Sequence, residues 1–111
     1  MLIYKIFRAA EWREFRTNGA TSGAPVDWQD GFIHFSTAEQ VRETARRHFA
    51  GEDRLVLLAI ESERLEHLRW EPSRGGDLFP HLYGELDLLD VVWYRPLPLR
   101  DGGHVFPEGF A

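Results

Sequence analysis

Two short segments of this chain set an imidazole and a hydroxyl two residues apart: His34-Phe35-Ser36 and His81-Leu82-Tyr83. Residues at that spacing on a strand face the same side, so each segment can present a group that titrates near neutrality beside a hydrogen-bonding hydroxyl. Brought together, the two would supply a general base, a proton donor and hydrogen bonds to a phosphate or a ribose. The same histidines also admit a structural reading, as buried rings satisfied by backbone carbonyls. A metal set of His34, His81, Glu71 and Asp77 lacks H-x-x-x-H or H-x-H spacing, and no metal is expected. Gly75-Gly76 and Gly102-Gly103 fit neither a P-loop nor G-x-G-x-x-G and read as turns. No G-x-S-x-G elbow supports a serine hydrolase.

The elements that must position these groups are legible in part. Gly31 punctuates a turn, Phe32 to Phe35 is a short apolar run, and Ser36-Thr37-Ala38-Glu39 has the S-x-x-E spacing of a capping box. This predicts a strand running directly into a helix over Thr37–Phe49, with Ser36 and Thr37 beside free N–H groups that could receive an anion. In that helix Ala38, Val41, Ala45 and His48 or Phe49 form the apolar stripe, and Arg42, Arg46 and Arg47 a solvated face. His48 sits at the helix end, where an imidazolium is tolerated. Leu2–Phe7 predicts a strand with Ile3, Lys5 and Phe7 on one face and Leu2, Tyr4 and Ile6 on the other. Lys5 on an apolar face either snorkels from an edge strand or points into a cleft.

Trp12 and Phe15, three apart, mark a helix over Ala9–Thr17 that stops at Asn18-Gly19. Thr21–Pro25 is a loop by composition and is expected to border the site, and Asp27–Gly31 links it to the strand. Leu55–Ile60, apolar on both faces, predicts a buried central strand. A further strand covers His67–Glu71, and Val91–Tyr94 another, closed by Pro96 and Pro98. From Arg100 onward a Gly/Pro-rich tail wraps the surface or frays. The order predicts an α+β class, with 1–111 as one domain.

Composition bounds the function. Lys plus Arg number 13 against 18 Asp plus Glu, a formal net charge of −5 that argues against broad nucleic-acid binding. The absence of cysteine rules out disulfides, thiolate catalysis and zinc knuckles, and suits a reducing, cytoplasmic setting. No apolar run approaches the roughly 18 residues of a membrane span, so no membrane partner is expected. Aromatic residues make up 14% of the chain, enough to fill a small core or to line a pocket for a planar ligand.

Tyr4-Lys5-Ile6, Gly31-Phe32-Ile33-His34-Phe35-Ser36, the Leu55–Ile60 strand and Phe79-Pro80-His81-Leu82-Tyr83-Gly84 together resemble a bacterial family, domain-of-unknown-function family 952. More distantly, that family is similar to the ADP-ribosyltransferase superfamily and, within it, to the RNA 2′-phosphotransferases. The resemblance implies a small split-sheet fold with two main helices around a cleft for NAD. His34 would take the second-motif position and Ser36 would open a helix beside the ligand. Lys5 falls where the superfamily has a first-strand His or Arg, and His81 and Tyr83 where it often offers a Glu. The ligand implied is NAD, ADP-ribose or another phosphorylated nucleotide, with ADP-ribosyl or 2′-phosphate transfer. Lys5, Ser36 and Thr37 would hold it, Trp12 or Trp28 would stack on a base, and His34, His81 and Tyr83 would carry the proton chemistry. The alternatives are a non-catalytic binding or accessory domain, and a His-x-Ser/Thr RNA phosphodiesterase.

Overall fold

Leu57, Leu58, Ala59 and Ile60 are sealed from solvent on both faces of one strand, and the rest of the molecule is layered on that strand. The computed structural model describes residues 1–110. Along the chain, strand β1 (Leu2–Arg8) is followed by helix α1 (Ala9–Asn18), β2 (Ala20–Thr21), helix α2 (Pro25–Asp30) and β3 (Ile33–His34). Helix α3 (Val41–His48) then leads to the central β4 (Leu55–Glu61). The second half is strand-rich: β5 (Leu68–Pro72), β6 (Leu78–Leu82), β7 (Leu86–Asp87), β8 (Val91–Leu97), β9 (Leu99–Arg100) and β10 (Gly103–His104). The class is α+β, as the order of elements predicts.

β4 lies between β1 and β8 in an antiparallel sheet. The period of two divides its side chains between two cores. On one face Ile3, Phe7, Leu58 and Ile60 pack with Trp12 and Phe15 of α1 and with Ile33, Phe35 and Leu82. On the other, Tyr4, Ile6, Leu55, Leu57 and Ala59 pack with Val41 and Ala45 of α3, with Leu97 and with Phe110. The tail after Arg100 therefore wraps rather than frays, anchored by Phe110 edge-on to Tyr4 with ring centroids 4.8 Å apart.

A second antiparallel sheet, ordered β3–β6–β5, stands beside the first. The two are stitched where Tyr4 and Ser36 exchange backbone hydrogen bonds of 2.8 and 2.9 Å. Two-stranded pairs β2–β7 and β9–β10 close the ends. Among the described residues, no helix is long and apolar enough to cross a membrane.

Three local expectations change. The helix expected from Thr37 starts at Val41: residues 38–40 form a turn instead, in which Gln40 Oε1 accepts from the Thr37 N–H at 3.0 Å. Ser36 is free of that duty and bridges to β1. Residues 25–30, expected as loop and link, form α2, with Pro25 in its first turn and Asp27 Oδ2 accepting the Ala24 N–H at 2.7 Å. β8 runs through Pro96, which an edge strand tolerates because no ladder bond is needed on its outer side.

Candidate functional site

Strand register explains how two histidines far apart in sequence meet. β3 and β6 pair with His34 directly opposite His81, so their side chains rise from the same face of the sheet. The rings stand edge to face with centroids 5.4 Å apart. Phe32, two residues before His34 and so on the same face, lies against His81 at 4.1 Å and fills the remaining side of the pair. Both imidazoles line a cleft of about 720 Å³ between the two sheets, together with Lys5, Asp27, Asp30, Ser36, Thr44, His48 and Arg74.

Each imidazole has a carboxylate behind it. His34 Nδ1 lies 2.6 Å from Asp27 Oδ1, and its Nε2 lies 3.0 Å from Asp30 Oδ2. An ionised carboxylate only accepts, so the Nδ1–H donates to Asp27, and the Asp30 carboxylate sits beside Nε2. His81 Nδ1 lies 2.8 Å from Glu71 Oε1, which also accepts the Tyr83 hydroxyl at 2.7 Å. Glu71 faces Phe79 across β5 and β6, a diagonal neighbour of His81 within reach of a long side chain. Only 4% of His81 is exposed, yet among the described residues its Nε2 has no hydrogen-bond partner. With Nδ1 turned to Glu71, this orphan nitrogen sits on the opposite edge of the ring, where a buried polar atom calls for a ligand.

Asp27 is the hub, and its importance is the largest gap in the sequence reading. Its side chain is buried, and it accepts from Lys5 Nζ at 2.8 Å, Ala24 N at 2.7 Å, His34 N at 3.1 Å and the His34 ring. Burial works to raise its pKa, but the bonds from His34, Lys5 and Ala24 outweigh that and hold it down at about 2. The sequence signal was Pro25-x-Asp27, a proline with an acidic residue two later, which marks a helix start.

Lys5 points inward, as one of its two sequence readings had it, and is 7% exposed. Two of its three donors are spent, on Asp27 and on the His34 carbonyl at 3.0 Å. Burial pulls its pKa below the ordinary lysine value, with Asp27 pulling the other way. Its main work is therefore holding the Asp27–His34 unit, with one N–H left toward the cleft.

The other expected site residues divide. Ser36 lines the cleft with its hydroxyl 2.8 Å from Thr44 Oγ1. Tyr83 reaches the site through Glu71 and through Phe32, whose ring centroid lies 5.2 Å from its own. Thr37 is buried, and its backbone N–H is taken by Gln40. Trp12 does not line the cleft: it is packed between Phe15 and Tyr94 in the core, with centroids 5.8 and 4.7 Å away. Trp28 is exposed on α2, beside a smaller groove. His48 lies at the cleft wall, where burial and then the positive charges of Arg74 and Arg47 lower its pKa. Among the described residues, no three of His, Asp and Glu are arranged to hold a metal ion.

Comparison with known proteins adds to this geometry. The model of a family described as a protein of unknown function, DUF952, matches residues 6–94. The fold is similar to that of protein CC0527 from Caulobacter crescentus. Its crystal structure aligns with a TM-score of 0.90 at 48% identity, covering 94% of this chain and 92% of that one. The solution NMR structure of the same protein gives a TM-score of 0.83 at 49% identity, covering 93% and 90%. No curated protein matches.

Proposed function

The chain belongs to the DUF952 family, and on that footing we propose that its cleft binds a phosphorylated nucleotide and performs acid–base chemistry at a ribose-linked phosphate. One observation carries the reading: two imidazoles, each backed by its own carboxylate, face one cleft at 5.4 Å. A volume of about 720 Å³ suits a nucleotide or a dinucleotide such as NAD.

Within this reading His81 accepts a proton through Nε2, its Nδ1–H held by Glu71. His34, its Nδ1–H held by Asp27, gives a proton from Nε2 to the ester oxygen as its bond to phosphorus breaks, while the hydroxyl deprotonated by His81 bonds to phosphorus. Phosphate chemistry is favoured over ADP-ribosyl transfer because the buried carboxylate of the cleft, Asp27, is committed to Lys5 and His34, and Glu11 is paired with Arg8. Asp30, 43% exposed, lies 3.0 Å from His34 Nε2.

The test is an NMR titration with NAD, ADP-ribose and a 2′-phosphorylated dinucleotide. The expected result is saturable shifts at both the His34 and His81 rings, greatest for the 2′-phosphorylated ligand. Silence at both rings at millimolar ligand would overturn the reading.

A further inference from the structure

Arg74 is a cation in the cleft wall that meets no carboxylate. Among the described residues its hydrogen-bond acceptor is the Thr44 hydroxyl, 3.1 Å from Nη2, and no Asp or Glu lies within ion-pair distance. The nearby Glu43 is held by Arg46 and Arg47 instead. Burial, and next the charge of Arg47, pull the Arg74 pKa below its ordinary value, with Glu43 and Asp77 pulling the other way.

The guanidinium is stacked over the Phe79 ring at 4.8 Å, which fixes its plane and leaves most of its N–H fork unspent. Beside it the buried Ser36 hydroxyl is 2.8 Å from Thr44 Oγ1 and has no other side-chain partner. Phe79 and His81 alternate along β6 on one face, so Arg74 stands about 7 Å along the strand from His81. The nine-tenths-buried, unpartnered Nε2 of His81 completes the set.

We propose that this corner seats a terminal phosphomonoester. Arg74 and the Ser36 hydroxyl, which Thr44 orients, hold its non-bridging oxygens, and the neighbouring ribose hydroxyl donates to His81 Nε2. The proposal rests on reading the cleft as a nucleotide site, and it narrows the ligand class. A nucleoside 2′- or 3′-monophosphate, with a free dianionic end, fits the corner better than a dinucleotide whose phosphates are all bridging.

The experiment follows amide and histidine-ring NMR signals during titration with inorganic phosphate, adenosine 2′-monophosphate and adenosine. The proteins are the wild type, Arg74→Gln, Arg74→Lys and Thr44→Val, each checked for an unchanged unfolding midpoint. Adenosine 2′-monophosphate should shift Ser36, Thr44 and the His81 ring. Arg74→Gln should weaken it about tenfold or more, Arg74→Lys should recover part of the loss, and adenosine should lose most of the affinity. Should Arg74→Gln not fold, Thr44→Val carries the same expectation in smaller measure. Unchanged affinity in these variants, with His34 and His81 still shifting, overturns the phosphate seat and keeps the nucleotide reading. Inorganic phosphate shifting Ser36 and Thr44 while no nucleotide moves either histidine does the reverse. No shift with any ligand removes both.

Discussion

Asp27 shows how much one side chain can organise. Its two oxygens fix a lysine, a helix start and a histidine, so it transmits the position of α2 to the imidazole of β3. Replacing it with Asn leaves Lys5 charged and buried without its counter-ion. The expected cost is about 3 kcal/mol, since breaking a buried pair strands the remaining charge. With burial then unopposed, the Lys5 pKa should fall further, which a pH titration of its side-chain NMR signal would show. His81 makes a finer prediction. Glu71 accepts from Nδ1, so the neutral ring carries its proton there and leaves Nε2 as the lone-pair nitrogen. Long-range nitrogen–proton spectra should report that tautomer in the wild type and a mixture in Glu71→Ala. A wild-type ring protonated at Nε2 would contradict the proton role given to it.

At the scale of elements, α2 is the platform of the site and depends on the turn before it. Gly23 has φ of +96°, and a Cβ there would run into the Asp27 carboxylate. Gly31, which ends α2, has φ of +86° but opens onto empty space. Gly23→Ala should therefore cost more than Gly31→Ala, about 2 against about 1 kcal/mol, and only the first should displace the His34 ring signals. Equal costs with no change at His34 would separate the turn from the site. The same helix marks the limit of sequence reading. β4 was legible because an unbroken apolar run admits few alternatives, and α1 because Trp12 and Phe15 mark one face and Gly19 a stop. α2 has six residues with Val26 and Trp28 exposed, so it lacks the apolar stripe that periodicity detects. Its aspartate looked like part of a linker. The two histidines were legible as chemistry, but their meeting depends on the register between β3 and β6, and the burial of Trp12 on its contact with Tyr94. Both are set by tertiary pairing, which no local spacing records.

Over the whole molecule, the buried carboxylate at the hub makes stability depend on acid. The Asp27 pKa is about 2 when folded against an ordinary 3.8, so between those values the unfolded chain binds the extra proton. Stability conferred by this group is complete above about pH 4 and is lost as pH falls through 2, amounting to about 2 kcal/mol. Urea unfolding at pH 5, 4, 3 and 2 should show that loss in the wild type and a shallower slope in Asp27→Asn. Phe110→Ala should cost about 3 kcal/mol, because its ring seals the second core against Tyr4 and carries Arg42 at 4.9 Å. The paired bonds between Tyr4 and Ser36 reach further still. They join the sheet that holds the lysine to the sheet that holds the imidazoles, so the two walls cannot spread without parting them. Deuterium uptake at those two amides thus serves as a clock for the breathing of the molecule, and an occupant that clamps the walls together should slow it.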